Sequence, residues 1–214
     1  MSKVQKNYNN DYFEWYKEIG EFGALINIHR FKNFIDTNDA VLDFGCGGGF
    51  MLDKINCRVK HGVEINPIAI NFCKKKNIYI YENSKLLPKN FYDVIISNNT
   101  LQHCENPFLE INNLYNSLKK NGKIILITGC SSKNLKYRVN DINYQLYSFS
   151  PMNLGNILDA NGFEVIKVEK IQHRWIPKYI FFYKLLGRRI FNFLCYIFSF
   201  FDDSIINIIA ISKK

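Results

Sequence analysis

From Tyr12 to Ile35 the apolar residues recur at roughly helical spacing, with Phe22, Leu25, Ile26, Ile28, Phe31 and Phe34 at the centre. That spacing predicts a helical segment over the first 35 residues. At Ala40 the period changes. Ala40-Val41-Leu42-Asp43-Phe44 is a short apolar run closed by glycines, the mark of a buried strand. Phe50 to Ile55 restarts as a helix and Val59 to Ile65 reads as a second strand. Pro67 opens a helix through Lys76, because proline suits the first turn. Ile78–Tyr81, Tyr92–Ser97, Lys123–Thr128, Phe163–Val168 and Ser204–Ile211 follow as strands. Helices are expected over Glu105–Leu118, closed by Lys119-Lys120-Asn121-Gly122, and over Pro151–Ala160. Strands alternating with helices predict an α/β fold: a Rossmann-like, seven-stranded, mainly parallel sheet with helices on both faces. The sixth and seventh strands lack a simple crossover helix, so the last strand is expected to run antiparallel. One domain is expected, divided into a helical lid (1–37), a core (38–170), a basic aromatic insertion (171–203) and a last strand (204–214).

The composition narrows the class. The 214 residues are 47% hydrophobic and 22% charged, ordinary globular values that exclude disorder for most of the chain. No apolar run reaches the ~18 residues of a membrane-spanning helix, and the polar start, Met1 to Asn10, shows no secretory signal. Lys, Ile and Asn supply 78 residues, the amino acids of AT-rich codons, so a low-GC bacterial source is expected and single asparagines carry little functional weight. The six cysteines form no CxxC pair, which suits a reduced, cytoplasmic protein without a zinc site. The net charge of +9 is uneven: residues 1–166 carry +3 and residues 167–214 carry +6. Such a tail suits an anionic partner, or serves solubility alone.

The candidate chemistry begins at Asp43-Phe44-Gly45-Cys46-Gly47-Gly48-Gly49, at the carboxyl end of the first strand. In open α/β sheets ligands bind there. Glycines let the backbone turn sharply and approach a ligand, and a following helix presents free amides. Glu64 ends the second strand, where a carboxylate accepts from a ribose diol. Phe50 stands where a nicotinamide fingerprint needs a small residue, which disfavours an NAD enzyme.

The pattern D-x-G-x-G-x-G resembles motif I of the class I S-adenosylmethionine (SAM)-dependent methyltransferases. The resemblance runs on in the family's order. Val63-Glu64-Ile65-Asn66-Pro67 is similar to its second motif and Glu82-Asn83-Ser84-Lys85-Leu86-Leu87-Pro88 to its third. Tyr92 to His103 resembles the fourth, Leu118 to Ile124 the fifth, and Asn161-Gly162-Phe163 the entry to the sixth strand. The match covers about residues 38–170. It implies SAM as cofactor, S-adenosylhomocysteine as product, and no metal. It places Asp43, Gly45, Gly47 and Gly49 at the methionine end, Glu64 and Ile65 at the ribose, and Asn83 and Ser84 near the adenine, with Asn98 also in the site. Asn83 stands where the family usually has Asp.

Methyl transfer to a hydroxyl needs a base, and His103, just after the fourth strand, is the candidate; its alternative is to orient a loop or cap the next helix. Candidate acceptor residues are Arg30, Tyr144, Tyr147, His173 and Arg174, while Tyr8, Tyr12, Trp15 and Tyr16 are candidates to pack over the cofactor. Residues 176–201 read as an apolar helix with a narrow polar stripe, suited to packing, to an inner membrane face, or to a lipid-bearing substrate. The expected function is O-methylation of a sugar or phosphate-linked intermediate of a bacterial surface polysaccharide such as a capsule. The expected partner is a small anionic or nucleotide-linked acceptor, with peripheral membrane contact through 176–201 as a further expectation. A quinone or other lipid-soluble acceptor is the alternative. So are a nucleic-acid methyltransferase, disfavoured by Ser97-Asn98-Asn99-Thr100 where an Asn/Asp-Pro-Pro-aromatic motif belongs, and a non-catalytic SAM-binding subunit. Monomer and dimer both remain open.

Overall fold

Asn9 caps the first helix by accepting the Tyr12 N–H at 3.1 Å, and α1 then runs Asn10–Asn27 before two 3-10 turns, Ile28–Arg30 and Lys32–Phe34. The computed structural model describes residues 6–132, 136–202 and 207–214. The strands are β1 (Ala40–Phe44), β2 (Val59–Val63), β3 (Tyr79–Tyr81), β4 (Tyr92–Asn98), β5 (Leu118–Gly129), β6 (Glu164–Ile171) and β7 (Asn207–Lys213). The later helices are α2 (Pro67–Lys74), α3 (Pro107–Ser117), α4 (Pro151–Ala160) and α5 (Tyr179–Phe198). Three of these four open on proline after an Asn or Ser cap, and at α4 a full capping box joins Ser150 and Asn153.

The sheet order is β3-β2-β1-β4-β5-β7-β6. The pairs among β3, β2, β1, β4 and β5 are parallel, and β7 runs antiparallel between β5 and β6. The expected Rossmann-like sheet with an antiparallel last strand is therefore found. Alternation along the central strands feeds two cores, as a strand buried on both faces requires. Leu42, Ile95, Ile124 and Leu126 face α3 and α4, whereas Val41, Val94, Ile96 and Ile125 face α1 and α2.

Two expectations need correction. The helix expected over Phe50–Ile55 is a single 3-10 turn, Leu52–Lys54. Phe50, Met51, Leu52 and Ile55 are all buried, and three consecutive buried side chains do not fit one face of an α-helix. The expected helix end at Lys119–Gly122 lies beyond α3. Leu118 already pairs with Tyr92, Asn121 turns at φ 65°, and the ladder resumes at Lys123 against Val94. The expected last strand is found from Asn207 and runs on to Lys213, while Ser204 to Ile206 lie outside the described residues.

Candidate active site

Register brings the functional segments together. Phe44 pairs with Val63, so the glycine loop after β1 and Glu64 after β2 leave the sheet side by side. Gly45 and Cys46 donate their N–H groups to the Val63 carbonyl at 2.9 and 3.1 Å. Glu64 completes the corner. Its Oε2 accepts from Gly47 N at 2.8 Å, and its Oε1 accepts from Ile65 N and Asn66 N, both at 2.8 Å. Burial raises the Glu64 pKa, and the three N–H groups oppose that shift. The loop amides are thus partly committed to β2, which replaces the expected free helix terminus.

The glycines have a steric reason at two positions. Gly45 (φ +74°) has Thr100 Oγ1 2.1 Å from where a Cβ would sit, and Gly47 (φ +53°) has Tyr16 Cε1 at 2.9 Å. Asp43 and Gly49 do not line the cleft themselves: Asp43 is buried at the end of β1, and Gly49 packs toward Ile78 and Cys73. Burial, and then the Glu64 charge, push the Asp43 carboxyl up to about 8.

A cleft of about 360 Å³ lies over this corner, the size of a small-molecule site. Tyr8, Tyr12, Phe13 and Tyr16 of the amino-terminal segment form one wall. The Asn66 side-chain amide donates to the Asn9 carbonyl at 3.0 Å, and that of Asn7 to the Ile142 carbonyl at 3.0 Å, which pins this wall. Gly45, Gly47, Glu64, Ile65, Asn83, Ser84 and Asn98 line the cleft. Asn83 Oδ1 accepts from Lys85 N at 2.9 Å and so caps a turn, while Ser84 Oγ accepts from Asn113 Nδ2 at 2.8 Å. The charged lining is Glu64, Glu82, Glu105 and Glu110 against Lys85.

His103 reaches the cleft at the end of the 3-10 turn Leu101–His103. It is 9% exposed. Burial lowers its pKa to about 4, against the opposing pull of hydrogen bonds to the backbone of Tyr144 and Asn143 and of the Asp141 charge. Among the described residues its Nδ1 has no partner, and neither has the buried Tyr8 hydroxyl. The two rings stand edge-to-face with centroids 6.4 Å apart. Two orphaned polar atoms on one cleft wall are costly unless a ligand meets them. In the sequence Tyr8 is marked only by its aromatic ring; the lack of a partner for its hydroxyl is visible only in three dimensions.

The expected acceptor residues are not gathered here. Tyr144 contributes backbone to His103, and the Tyr147 hydroxyl donates to the Glu105 carbonyl at 3.1 Å. His173 pairs with Asn192 at 3.3 Å, Arg174 forms an ion pair with Asp202 at 3.2 Å, and Arg30 Nε donates to Asn27 Oδ1 at 3.4 Å. None of these five side chains lines the cleft. Arg30 sits in the 3-10 turn after α1, Tyr144 and Tyr147 in the loop after β5, and His173 and Arg174 between β6 and α5, segments whose packing the local sequence does not specify. Among the described residues no cluster of His, Cys, Asp or Glu suits a metal ion.

A strand-end glycine loop, a carboxylate ending β2 and this sheet order are the architecture of a class I SAM-dependent methyltransferase. The family model described as methyltransferase domain matches residues 21–168, and the chain belongs to that family. A curated relative, the ubiquinone biosynthesis O-methyltransferase of Rickettsia felis, is 29% identical over 150 residues, covering 60% of this chain and 59% of the relative. The Rickettsia typhi protein of the same name is 29% identical over 153 residues, covering 59% of this chain and 60% of the relative. The match thus spans about three-fifths of these relatives. A solved SAM-dependent methyltransferase from Archaeoglobus fulgidus shares the fold, with a TM-score of 0.66, 19% identity, and coverage of 95% of this chain and 99% of that one. The relatives' name agrees with the quinone alternative, and neither name concerns a surface polysaccharide.

The residues present fit SAM. Tyr8 and His103, each with an orphaned buried polar atom, line a cleft whose four carboxylates suit a sulfonium cation. Glu64→Ala is expected to weaken SAM binding by about 1–3 kcal/mol, the scale for hydrogen bonds to a charged group; unchanged affinity by calorimetry would remove Glu64 from the site. Asp43 gives a pH test. Its raised pKa means the folded chain keeps a proton there up to about pH 8 that the unfolded chain has lost. Ligand-free stability therefore falls as pH rises from 4 through 8. Asp43→Asn removes that loss, so its melting temperature should gain on the wild type between pH 6 and pH 8.5, by about 2–4 °C per kcal/mol. Parallel melting curves across that range would refute the shift.

Proposed function

We propose that this chain transfers the methyl group of SAM to a hydroxyl of a neutral, lipid-soluble phenol, a precursor of a quinone, with His103 as the proton acceptor. The observation that carries the chemistry is the buried, unpartnered Nδ1 of His103, a residue that lines the cleft. A histidine that merely caps or orients a loop has no need of an orphaned nitrogen there.

SAM, when bound, supplies an electrophilic methyl on a positively charged sulfur. Glu64 and Ile65 hold the ribose, Asn83 and Ser84 the adenine side, and the glycine loop with Asp43 behind it the methionine end. Asn98 lines the same cleft on the cofactor side. His103 is neutral at any physiological pH because of its low pKa. It is a weak base, yet a phenol oxygen gaining a methyl becomes far more acidic, so the proton passes to Nδ1 as the new bond forms. The Tyr8 hydroxyl, on the same wall as His103, orients the acceptor oxygen.

Charge favours the phenol over the phosphate-linked sugar. An anionic acceptor would enter a cleft bearing four carboxylates and one lysine, with Arg30 and Arg174 turned to other partners. The names of the relatives point the same way. On this reading the partner is a small molecule rather than a nucleic acid, and the enzyme meets it where a membrane meets water. Release of S-adenosylhomocysteine with an alkyl-substituted catechol tests the reading. Turnover with a nucleotide-linked sugar and none with the catechol would replace it by the polysaccharide reading.

A further inference from the structure

The helix α5 and its flanks are apolar on both sides. The inner side is already used: Phe191 and Cys195 pack with Phe22 and Ile26 of α1, closed by Trp175, Tyr179 and Tyr183. An ordinary surface helix would turn polar residues outward. This one does not. Ile190, Phe193, Ile197 and Phe200 follow at helical spacing on the outer side, with Phe193 60% and Phe200 64% exposed. Phe181 and Leu185 continue the exposed surface beyond Gly187, where a φ of 70° and ψ of 171° break the helix.

Charge accompanies this surface. Between Ile171 and Asp202 the chain has five cations, Arg174, Lys178, Lys184, Arg188 and Arg189, and no carboxylate. Lys184 and Arg189 are exposed beside the apolar residues. No helix among the described residues is long and apolar enough to cross a membrane. A broken helix with an uncovered apolar face and cations along it instead matches a surface that lies in the plane of an anionic lipid interface. The segment also adjoins the cleft. A Cβ on Gly23 would stand 3.7 Å from Trp175 and 4.0 Å from the cleft-lining Asn98.

We infer that the outer face of α5, from Phe181 to Phe200, docks the protein on an anionic phospholipid surface. Ile190, Phe193, Ile197 and Phe200 enter the acyl boundary, and Lys184 and Arg189 meet the headgroup phosphates. The acceptor reading above supplies a purpose for this docking, but the docking stands or falls on lipid binding alone.

The test is co-sedimentation of the full chain with vesicles of phosphatidylglycerol and phosphatidylcholine, and with vesicles of phosphatidylcholine alone. The expected partition is at least about tenfold higher on the anionic vesicles and falls when salt is raised from about 50 to 500 mM. Phe193→Ser/Ile197→Ser/Phe200→Ser should lower binding at least about tenfold with SAM affinity unchanged. Should that variant fail to fold, Lys184→Ser/Arg189→Ser changes only exposed positions and should lower anionic binding with its unfolding curve intact. Three results would overturn the inference: no partition to either vesicle, equal binding by the folded variants and the wild type, or a solution dimer that the triple variant abolishes, which would assign the face to a second copy. A protein that docks but does not methylate the catechol would overturn the acceptor reading alone.

Discussion

His103→Ala lowers kcat by roughly 10²–10⁴-fold, the usual worth of a positioned base, and leaves SAM affinity within about threefold. The split between the two quantities separates a base from a residue that only shapes the loop. A structural role would weaken SAM binding and melting temperature together, because His103 is buried and held to the backbone of Tyr144 and Asn143. The pH profile gives a second readout. The base must be neutral to accept a proton, so activity is lost as pH falls through its pKa. For His103 that limb lies near 4, well below the ordinary imidazole value of 6.5. Measured at saturating SAM, kcat/KM for the acceptor should therefore show no loss attributable to imidazole between pH 5 and 7. A limb at 6.5 would mean that His103 is solvated during turnover, or that another group is the base.

Gly45→Ala should reduce SAM affinity by at least about 100-fold, or ~2.7 kcal/mol. Two costs combine. The φ of +74° is a left-handed conformation, unfavourable for alanine by about 1–2 kcal/mol. The added Cβ would also stand 2.1 Å from Thr100 Oγ1, 2.2 Å from its Cγ2 and 2.6 Å from its Cβ. Threonine is branched at Cβ and cannot swing clear, so the loop itself must shift. Thr100→Gly added to Gly45→Ala removes the clash and leaves the dihedral cost, and should recover about tenfold of the affinity. Calorimetric titration of SAM into the two variants decides the matter. A Gly45→Ala variant that binds like the wild type would show that the loop does not cradle the ligand.

The parts of the fold with a clear period were legible in the sequence. β1 and β4 are continuous apolar runs because both faces are buried, and Pro67, Pro107 and Pro151 mark helix starts through backbone geometry alone. The turn after Gly49 was not legible, because Phe50, Met51 and Leu52 look helical locally while burial on more than one side forces a tighter coil. In the site, Gly45, Gly47, Glu64 and His103 were legible because strand ends fix their place. The acceptor residues were not. Arg174 finds Asp202 and His173 finds Asn192 through the packing of α5 with α1 and with the segment after β6, a contact between distant parts of the chain. That 176–201 forms an apolar helix was legible, but which side of it α1 covers was not, since an apolar helix in a sequence does not say which side is covered.

The central claim is that this cleft joins SAM to a neutral phenol with His103 as base. One measurement addresses it most directly: initial rates of S-adenosylhomocysteine release with an alkyl-substituted catechol, for the wild type and His103→Ala side by side, with a nucleotide-linked sugar as the contrasting acceptor. The account predicts turnover of the catechol alone and a fall of roughly 100-fold or more in the variant. Turnover of the sugar alone, or equal catechol rates in the two proteins, would contradict it.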